Sequence, residues 1–178
     1  DYPMMAGSGL KGAVRHHFWS QLDVGHRQDK VNLLNRLFGP ETDASEFAGA
    51  ISFGDAQLVA FPVRCVKNAF VYTTSPTALA RAVRTVAWVN TDPGWPALSV
   101  EPGHCHLVNP ALMTGDKLHL DAFEFTAQVG KSLQVGKSLM QMSEWLSKYA
   151  MPPDQAYNFF REKLKMDLVV LTDEDFSY

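Results

Sequence analysis

The stretch GSGLKGAVR, from Gly7 to Arg15, combines three glycines with two cations. An apolar side chain recurs at every fourth position from Leu10 to Leu22, and this spacing predicts a helix over about residues 10–22. Ser8 stands just before that helix, where its hydroxyl can accept hydrogen bonds from backbone N–H groups as an N-cap. The stretch is therefore interpreted as the start of a helix whose first turn is rich in small residues.

Several features of this helix start favour an anion. Glycine lets another backbone approach closely, and a helix N-terminus offers free N–H groups at the positive end of the helix dipole. Lys11 and Arg15 lie four positions apart and share one helix face. Together these features predict a site for a phosphate backbone, and the alternative is an ordinary capped surface helix.

The composition is that of one globular domain spanning residues 1–178, with 46% hydrophobic and 20% charged residues. The net charge of −3 hides an asymmetry. Residues 1–91 carry nine Lys/Arg and seven Asp/Glu, whereas residues 92–178 carry seven and twelve. Between Ala56 and Thr91 there are four basic residues and no acidic one, and a local basic surface can bind an anion even on an acidic chain.

No apolar run approaches the ~20 residues of a membrane span, so we expect a cytoplasmic protein without a membrane partner.

Helices and strands are predicted in mixed order without strict alternation, which favours the α+β class. The remaining predicted helices cover residues 29–38, 75–89, 138–150 and 154–165. The predicted strands cover residues 51–53, 57–61, 70–72, 118–127 and 168–171. Residues 91–116 are rich in proline and glycine and are predicted to be an irregular insertion.

The triplet His104-Cys105-His106 is a candidate metal site. Alternate side chains of an extended segment share a face, so His104 and His106 could bind one zinc ion while Cys105 faces away. Further ligands would have to come from Cys65 or His119. The alternative interpretation is a pair of loop histidines beside a buried free cysteine.

GSGLKGAVR closely resembles GSSLKGALR, the signature of the RAMP superfamily of CRISPR proteins. Further stretches resemble the backbone subunits of type III-B (Cmr) effector complexes, and the strongest correspondence covers about residues 3–84. These stretches are Leu37–Glu41, Ala48–Leu58, Phe61–Arg64 with Lys67, Thr74–Pro76 with Arg81, and Leu168–Phe176.

The resemblance implies a ferredoxin-like, RRM-like palm with insertions, which this chain contains only in part. Copies of such subunits stack into a helical filament along the guide CRISPR RNA, beside other Cmr-complex subunits. A thumb hairpin kinks the guide, and residues 91–116 are the candidate for it. The family subunit also cuts target RNA, with an aspartate on a loop and a divalent metal, Mg²⁺ or Mn²⁺.

The resemblance also assigns roles to individual residues of this chain. Ser8, Lys11 and Arg15 become contacts to the guide backbone, in agreement with the charge and helix arguments above. Arg64 and Lys67 become candidates for contact with RNA or with a neighbouring subunit.

The catalytic aspartate of the family lies upstream of the signature, and Asp1 is too close to Gly7 to match it. We therefore expect an internal portion of the subunit, with no catalytic residue, cofactor or metal ligand in this chain. Two other functions remain open. One is a metal-dependent endoribonuclease active by itself, with Asp55 as a substitute carboxylate, and the other is an unrelated α+β domain with a zinc site.

Overall fold

The computed structural model describes residues 3–23, 27–41, 47–128 and 133–177. Their contacts divide the chain into two compact units, Asp1–Leu58 and Val59–Tyr178. The assignment of residues 1–178 to a single domain stays a prediction. The described part of the first unit holds β1 (Met4–Met5), α1 (Gly7–Gln21), α2 (Arg27–Phe38) and β2 (Ala56–Gln57), with β1 and β2 antiparallel.

The second unit is built on a sheet of six described strands, and three of its helices contribute to the apolar cluster on one face. Its strands are β3 (Phe61–Arg64), β4 (Phe70–Thr74), β5 (His104–Leu107), β6 (Lys117–Leu120), β7 (Phe123–Gln128) and β8 (Leu168–Val170). Its helices are α3 (Pro76–Ala87), α4 (Leu133–Tyr149), α5 (Asn158–Met166) and α6 (Asp173–Phe176), with short 3-10 turns at Pro110–Leu112 and Gln155–Tyr157.

The start of α1 differs from the prediction. The helix begins at Gly7, with Ala6 in the cap position and no side-chain cap there. The N-cap role predicted for Ser8 is therefore wrong, because Ser8 lies inside the first turn. A carboxylate oxygen of Asp55 instead accepts the Gly7 N–H at 2.7 Å. A distant acidic residue thus supplies the cap that the local sequence was expected to provide.

The first unit packs around the end of α2. Leu34 and Phe38 are buried there, 1% and 2% exposed. The Phe38 ring meets Phe18 of α1 edge-on at 5.9 Å and stacks on Phe53 at 6.0 Å. Phe53 belongs to the segment predicted as a strand at residues 51–53, and that prediction is wrong, since the segment has no regular structure.

The six strands lie in the order β3-β4-β8-β5-β7-β6. Neighbouring strands are antiparallel except β4 with β8 and β5 with β7, which are parallel. Cys65, directly after β3, also forms an antiparallel bridge with Leu120 at the end of β6. Because this bridge joins the two outer strands, the sheet is curled on itself.

Both faces of this sheet are buried, by different means. One apolar cluster takes residues from every strand or its continuation, including Val71, Cys105 and Val169, and fills the concave side. Tyr72, Leu168 and other alternate residues face the opposite way and pack against α4 and α5. The α+β class is confirmed by this mixed sheet.

Two strand predictions in the second unit were incomplete. The predicted single strand at 118–127 is a hairpin of β6 and β7, in which Asp121 has a φ of 47° that closes the turn. The predicted irregular insertion contains β5, which lies in the middle of the sheet. Whether residues 91–116 act as a thumb stays a prediction.

None of the described helices is long and apolar enough to cross a membrane.

A carboxylate from the end of the chain caps α3. Asp173 accepts the backbone N–H of Thr77 at 2.9 Å and its hydroxyl at 2.7 Å. Burial raises the pKa of Asp173, but hydrogen bonds from Ser75 and Thr77 and the charge of Arg81 together lower that pKa below its usual value. The ionised form is thus favoured in the folded protein.

We predict that Asp173→Asn lowers the free energy of unfolding by about 1 kcal/mol near pH 7. The folded-state pKa is depressed, so the stabilising contribution is present above the unfolded pKa and disappears as pH falls below about 4. Urea unfolding of both proteins at pH 7 and pH 3 measures this difference. Glu174→Gln, on the same helix, is the matched control, and a pH-independent difference for Asp173→Asn would contradict the assignment.

Candidate nucleic-acid interface

Ser8 and Lys11 line the same open cleft, which has a volume of about 430 Å³. Its opposite wall is formed by residues 38–40 and by residues between 47 and 53. We call this the Lys11 cleft, because Lys11 is the one charged side chain among the described residues that line it. The cleft is therefore lined by one cation, by the serines Ser8 and Ser52, and otherwise by glycine and apolar residues.

Close backbone contacts shape the far wall of the Lys11 cleft. The N–H of Ala50 donates to the carbonyl oxygen of Arg36 at 3.0 Å and so caps the end of α2. A Cβ on Gly49 would lie 2.5 Å from the backbone of Phe38, so only glycine fits there. Gly39 has a φ of 84°, the left-handed conformation that ends many helices.

Arg15 binds the chain itself. Its guanidinium donates to the carbonyl oxygen of Gly39 at 2.6 Å, to the side chain of Asn35 at 2.7 Å and to Glu41 at 3.2 Å. The side chain is 17% exposed. Arg15 thus ties α1 to the end of α2 and holds the wall of the Lys11 cleft, and its contact with guide RNA stays a prediction.

The helix N-terminus is also partly occupied. Asp55 uses the Gly7 N–H, so a ligand phosphate would meet a carboxylate at the position where the sequence predicted free donors. A Cβ on Gly7 would lie 2.5 Å from the carbonyl oxygen of Phe53, so the close backbone approach predicted for the glycines is made there by the chain itself. At Gly9 and Gly12, by contrast, a Cβ would meet nothing within 4 Å.

A second cleft, of about 700 Å³, lies between α1 and α2 and was not predicted. His16, Trp19 and Arg27 line it, and the Lys30 ammonium lies 4.8 Å from the centre of the Trp19 ring. In proteins that bind single-stranded nucleic acids, the bases stack on aromatic rings, and cationic side chains neutralise the phosphates. The sequence carried no sign of this cleft, because only helix pairing brings Trp19 and Arg27 together.

Arg64 and Lys67 belong to the second unit and lie three positions apart where β3 leads into the next turn. Both are exposed, Arg64 at the end of β3 and Lys67 in the β3–β4 turn. The structure thus places the five predicted RNA contacts in two groups: Ser8 and Lys11 with the engaged Arg15 in the first unit, and this pair in the second. Whether either group contacts RNA stays a prediction.

Within the part of the chain that the structure describes, the two histidines on β5 do not belong to a group of side chains that could hold zinc. His106 is buried and its Nε2 lies 2.9 Å from a backbone carbonyl oxygen, while His119 pairs with Glu124 at 3.2 Å. Cys105 is buried, and burial raises the pKa of its thiol to about 12. Within the described residues no group of three or more His, Cys, Asp and Glu side chains could hold a metal ion. Among the described residues, the zinc hypothesis at His104 and His106 thus lacks the further ligands it requires.

These elements define a known class. The family model of the RAMP superfamily matches residues 1–167, and the chain belongs to that superfamily. Over 84 residues, it is 42% identical to the CRISPR system Cmr endoribonuclease Cmr4 of Pyrococcus furiosus, a match covering 47% of this chain and 27% of that protein.

Solved structures share the fold. The crystal structure of oligomeric Cmr4 from Pyrococcus furiosus superposes with a TM-score of 0.74 at 24% identity, covering 98% of this chain and 60% of that one. A chain of the type III-B Cmr-beta complex bound to cognate target RNA gives 0.56 at 17% identity, covering 97% and 55%. This chain thus spans at most about three fifths of these relatives, and its mixed sheet agrees with their palm fold, as expected from the signature.

We predict opposite effects for two sets of Gly→Ala substitutions in the first unit. Gly49→Ala should lower the free energy of unfolding by more than about 2 kcal/mol, because its Cβ collides with backbone. Gly9→Ala and Gly12→Ala should each raise it by up to about 1 kcal/mol, because alanine is the better helix former and has room there. Urea unfolding followed by circular dichroism tests both, and a Gly49→Ala protein as stable as wild type would contradict the packing.

Proposed function

We propose that this chain binds guide CRISPR RNA as part of a backbone subunit of a type III-B interference complex. The observation that carries the proposal is the arrangement of the family signature, which presents Ser8 and Lys11 at an open cleft. The relatives support it by name: one is a Cmr endoribonuclease, and one structure is a type III-B complex bound to target RNA.

The glycines of α1 give a second, independent support. Gly9 and Gly12 lie inside the helix, where each costs about 1 kcal/mol relative to alanine. Neither has a positive φ nor a neighbour that a Cβ would strike. The described part of the first unit therefore does not need them, whereas a phosphate backbone lying across the helix would, since it needs the missing side-chain volume.

The proposal also covers the partners of this chain and its location in the cell. The Pyrococcus furiosus relative crystallised in oligomeric form, and the type III-B Cmr-beta structures were solved with cognate target RNA and in the apo state. By analogy, this chain would assemble with further copies of itself in a helical filament, contact other Cmr-complex subunits and meet target RNA along the guide. Its place of action would then be the cytoplasm.

RNA cleavage is a separate question for these residues. The resemblance implies Mg²⁺ or Mn²⁺, but the described residues offer no group of three or more suitable ligands. Asp55, the substitute carboxylate, is engaged as the cap of α1. We therefore assign RNA binding and no cleavage step to the described residues.

We predict that the isolated chain does not cut single-stranded RNA, because the described carboxylates do not converge on a metal site. The measurement is gel analysis of a labelled RNA incubated with the chain in Mg²⁺, Mn²⁺ or EDTA. Cleavage that requires the metal and is lost in Asp55→Asn would instead establish the chain as a nuclease by itself.

We predict that Lys11→Ala weakens RNA binding and lowers its salt dependence. Losing one phosphate contact on a single strand should reduce the slope of log K against log salt by about 0.7. Fluorescence anisotropy with a labelled single-stranded RNA, over a series of NaCl concentrations, measures both. Arg15→Ala is unsuitable because Arg15 holds α1 to α2.

The matched control is Arg36→Ala, which removes an exposed cation from α2. Arg36→Ala should leave the slope unchanged. If Lys11→Ala behaves like Arg36→Ala, the Lys11 cleft is not the binding site. If the wild-type chain shows no salt-dependent RNA binding, the proposed function itself fails.

A further inference from the structure

A buried carboxylate in the second unit gathers polar side chains from distant segments. Asp167 is 3% exposed and lies between α5 and β8. Its carboxylate accepts from the Lys163 ammonium at 2.5 Å, from the Asn68 amide at 2.9 Å and from the Asn109 amide at 3.0 Å. The negative charge is thus compensated by one cation and two neutral donors, as a buried ion requires.

One of these donors belongs to the turn that carries the predicted RNA contacts. Asn68 directly follows Lys67, and both are exposed at the residue level in the β3–β4 turn. The first half of the same turn is held from the side of β6. The Asp121 N–H donates to the Arg64 carbonyl oxygen at 3.0 Å, and the Val66 N–H donates to a carbonyl oxygen of β6 at 3.3 Å.

Lys67 therefore stands between two anchors on the turn. Backbone hydrogen bonds to β6 hold the residues before it, and the Asn68 side chain holds the residue after it against Asp167. The hairpin holds both ends of the turn, since Arg64 pairs with Phe70, but without the Asn68 contact the middle of the turn would be freer to move. A lysine on such a turn binds phosphate more weakly, because binding must then order the turn as well as the side chain.

We propose that Asn68 is a positioning residue, which holds the middle of the β3–β4 turn in place and so orders Lys67 for contact with a phosphate of an RNA strand. The inference rests on the proposed function, since it assumes that the chain binds RNA. It goes beyond that function by assigning the order of this turn to one amide and to the buried carboxylate that holds it.

The test compares two asparagines that donate to the same carboxylate. Asn68→Ala and Asn109→Ala each remove one amide donor from Asp167, but only Asn68 lies in the turn. In the 178-residue chain, with labelled single-stranded RNA, Asn68→Ala should weaken binding about threefold to tenfold. Asn109→Ala should change it by less than about twofold.

A double-variant measurement separates positioning from a loss of folded protein. If Asn68 acts through Lys67, Asn68→Ala should have no further effect in a Lys67→Ala background, and both single variants should lower the salt slope. Equal weakening with and without Lys67, equal effects of the two asparagine variants, or no effect of Lys67→Ala would each overturn the proposal. Absence of salt-dependent binding by the wild-type chain would instead overturn the proposed function.

Discussion

The structure of the second unit depends on the buried ion pair between Asp167 and Lys163. A carboxylate taken out of water costs several kcal/mol unless cations and donors surround it. Its donors come from α5, from the turn after β3 and from the segment after β5, and its own backbone carbonyl oxygen accepts the Tyr72 N–H of β4 at 3.0 Å. These segments can satisfy the charge only when β4, β8 and β5 lie side by side, which is the centre of the observed sheet.

In the first unit, a cation likewise brings separate segments together through its hydrogen bonds. Arg15 gathers the Gly39 carbonyl oxygen, Asn35 and Glu41, and so holds the end of α2 beside α1. The two cations of the family signature thus have different roles. Arg15 donates its hydrogen bonds within the fold, whereas Lys11 lies in an open cleft beside Ser8 and is the better candidate to contact a ligand.

Local pattern was sufficient for part of this structure. The apolar spacing from Leu10 to Leu22 located α1, and the predicted helix at residues 29–38 and strand at residues 168–171 correspond to α2 and β8. Local pattern failed where a distant residue supplied a contact that was expected from a neighbouring one. Ser8 looked like a cap, but Asp55 caps the helix. The alternation of apolar residues over 118–127 gave no sign of the turn between β6 and β7. Asp121 closes that turn in a left-handed conformation that the neighbouring residues do not predict.

The sequence by itself determined the superfamily, the α+β class and the residue types of the candidate site, because motif and periodicity are properties of neighbouring residues. Tertiary structure decided which of those residues act together. It placed Ser8 and Lys11 on one cleft, engaged Arg15 elsewhere, and joined Asn68 to Asp167 across 99 positions. Spacing along the chain carries no record of the Arg15 and Asn68 contacts, since these form only when segments distant in sequence pack together.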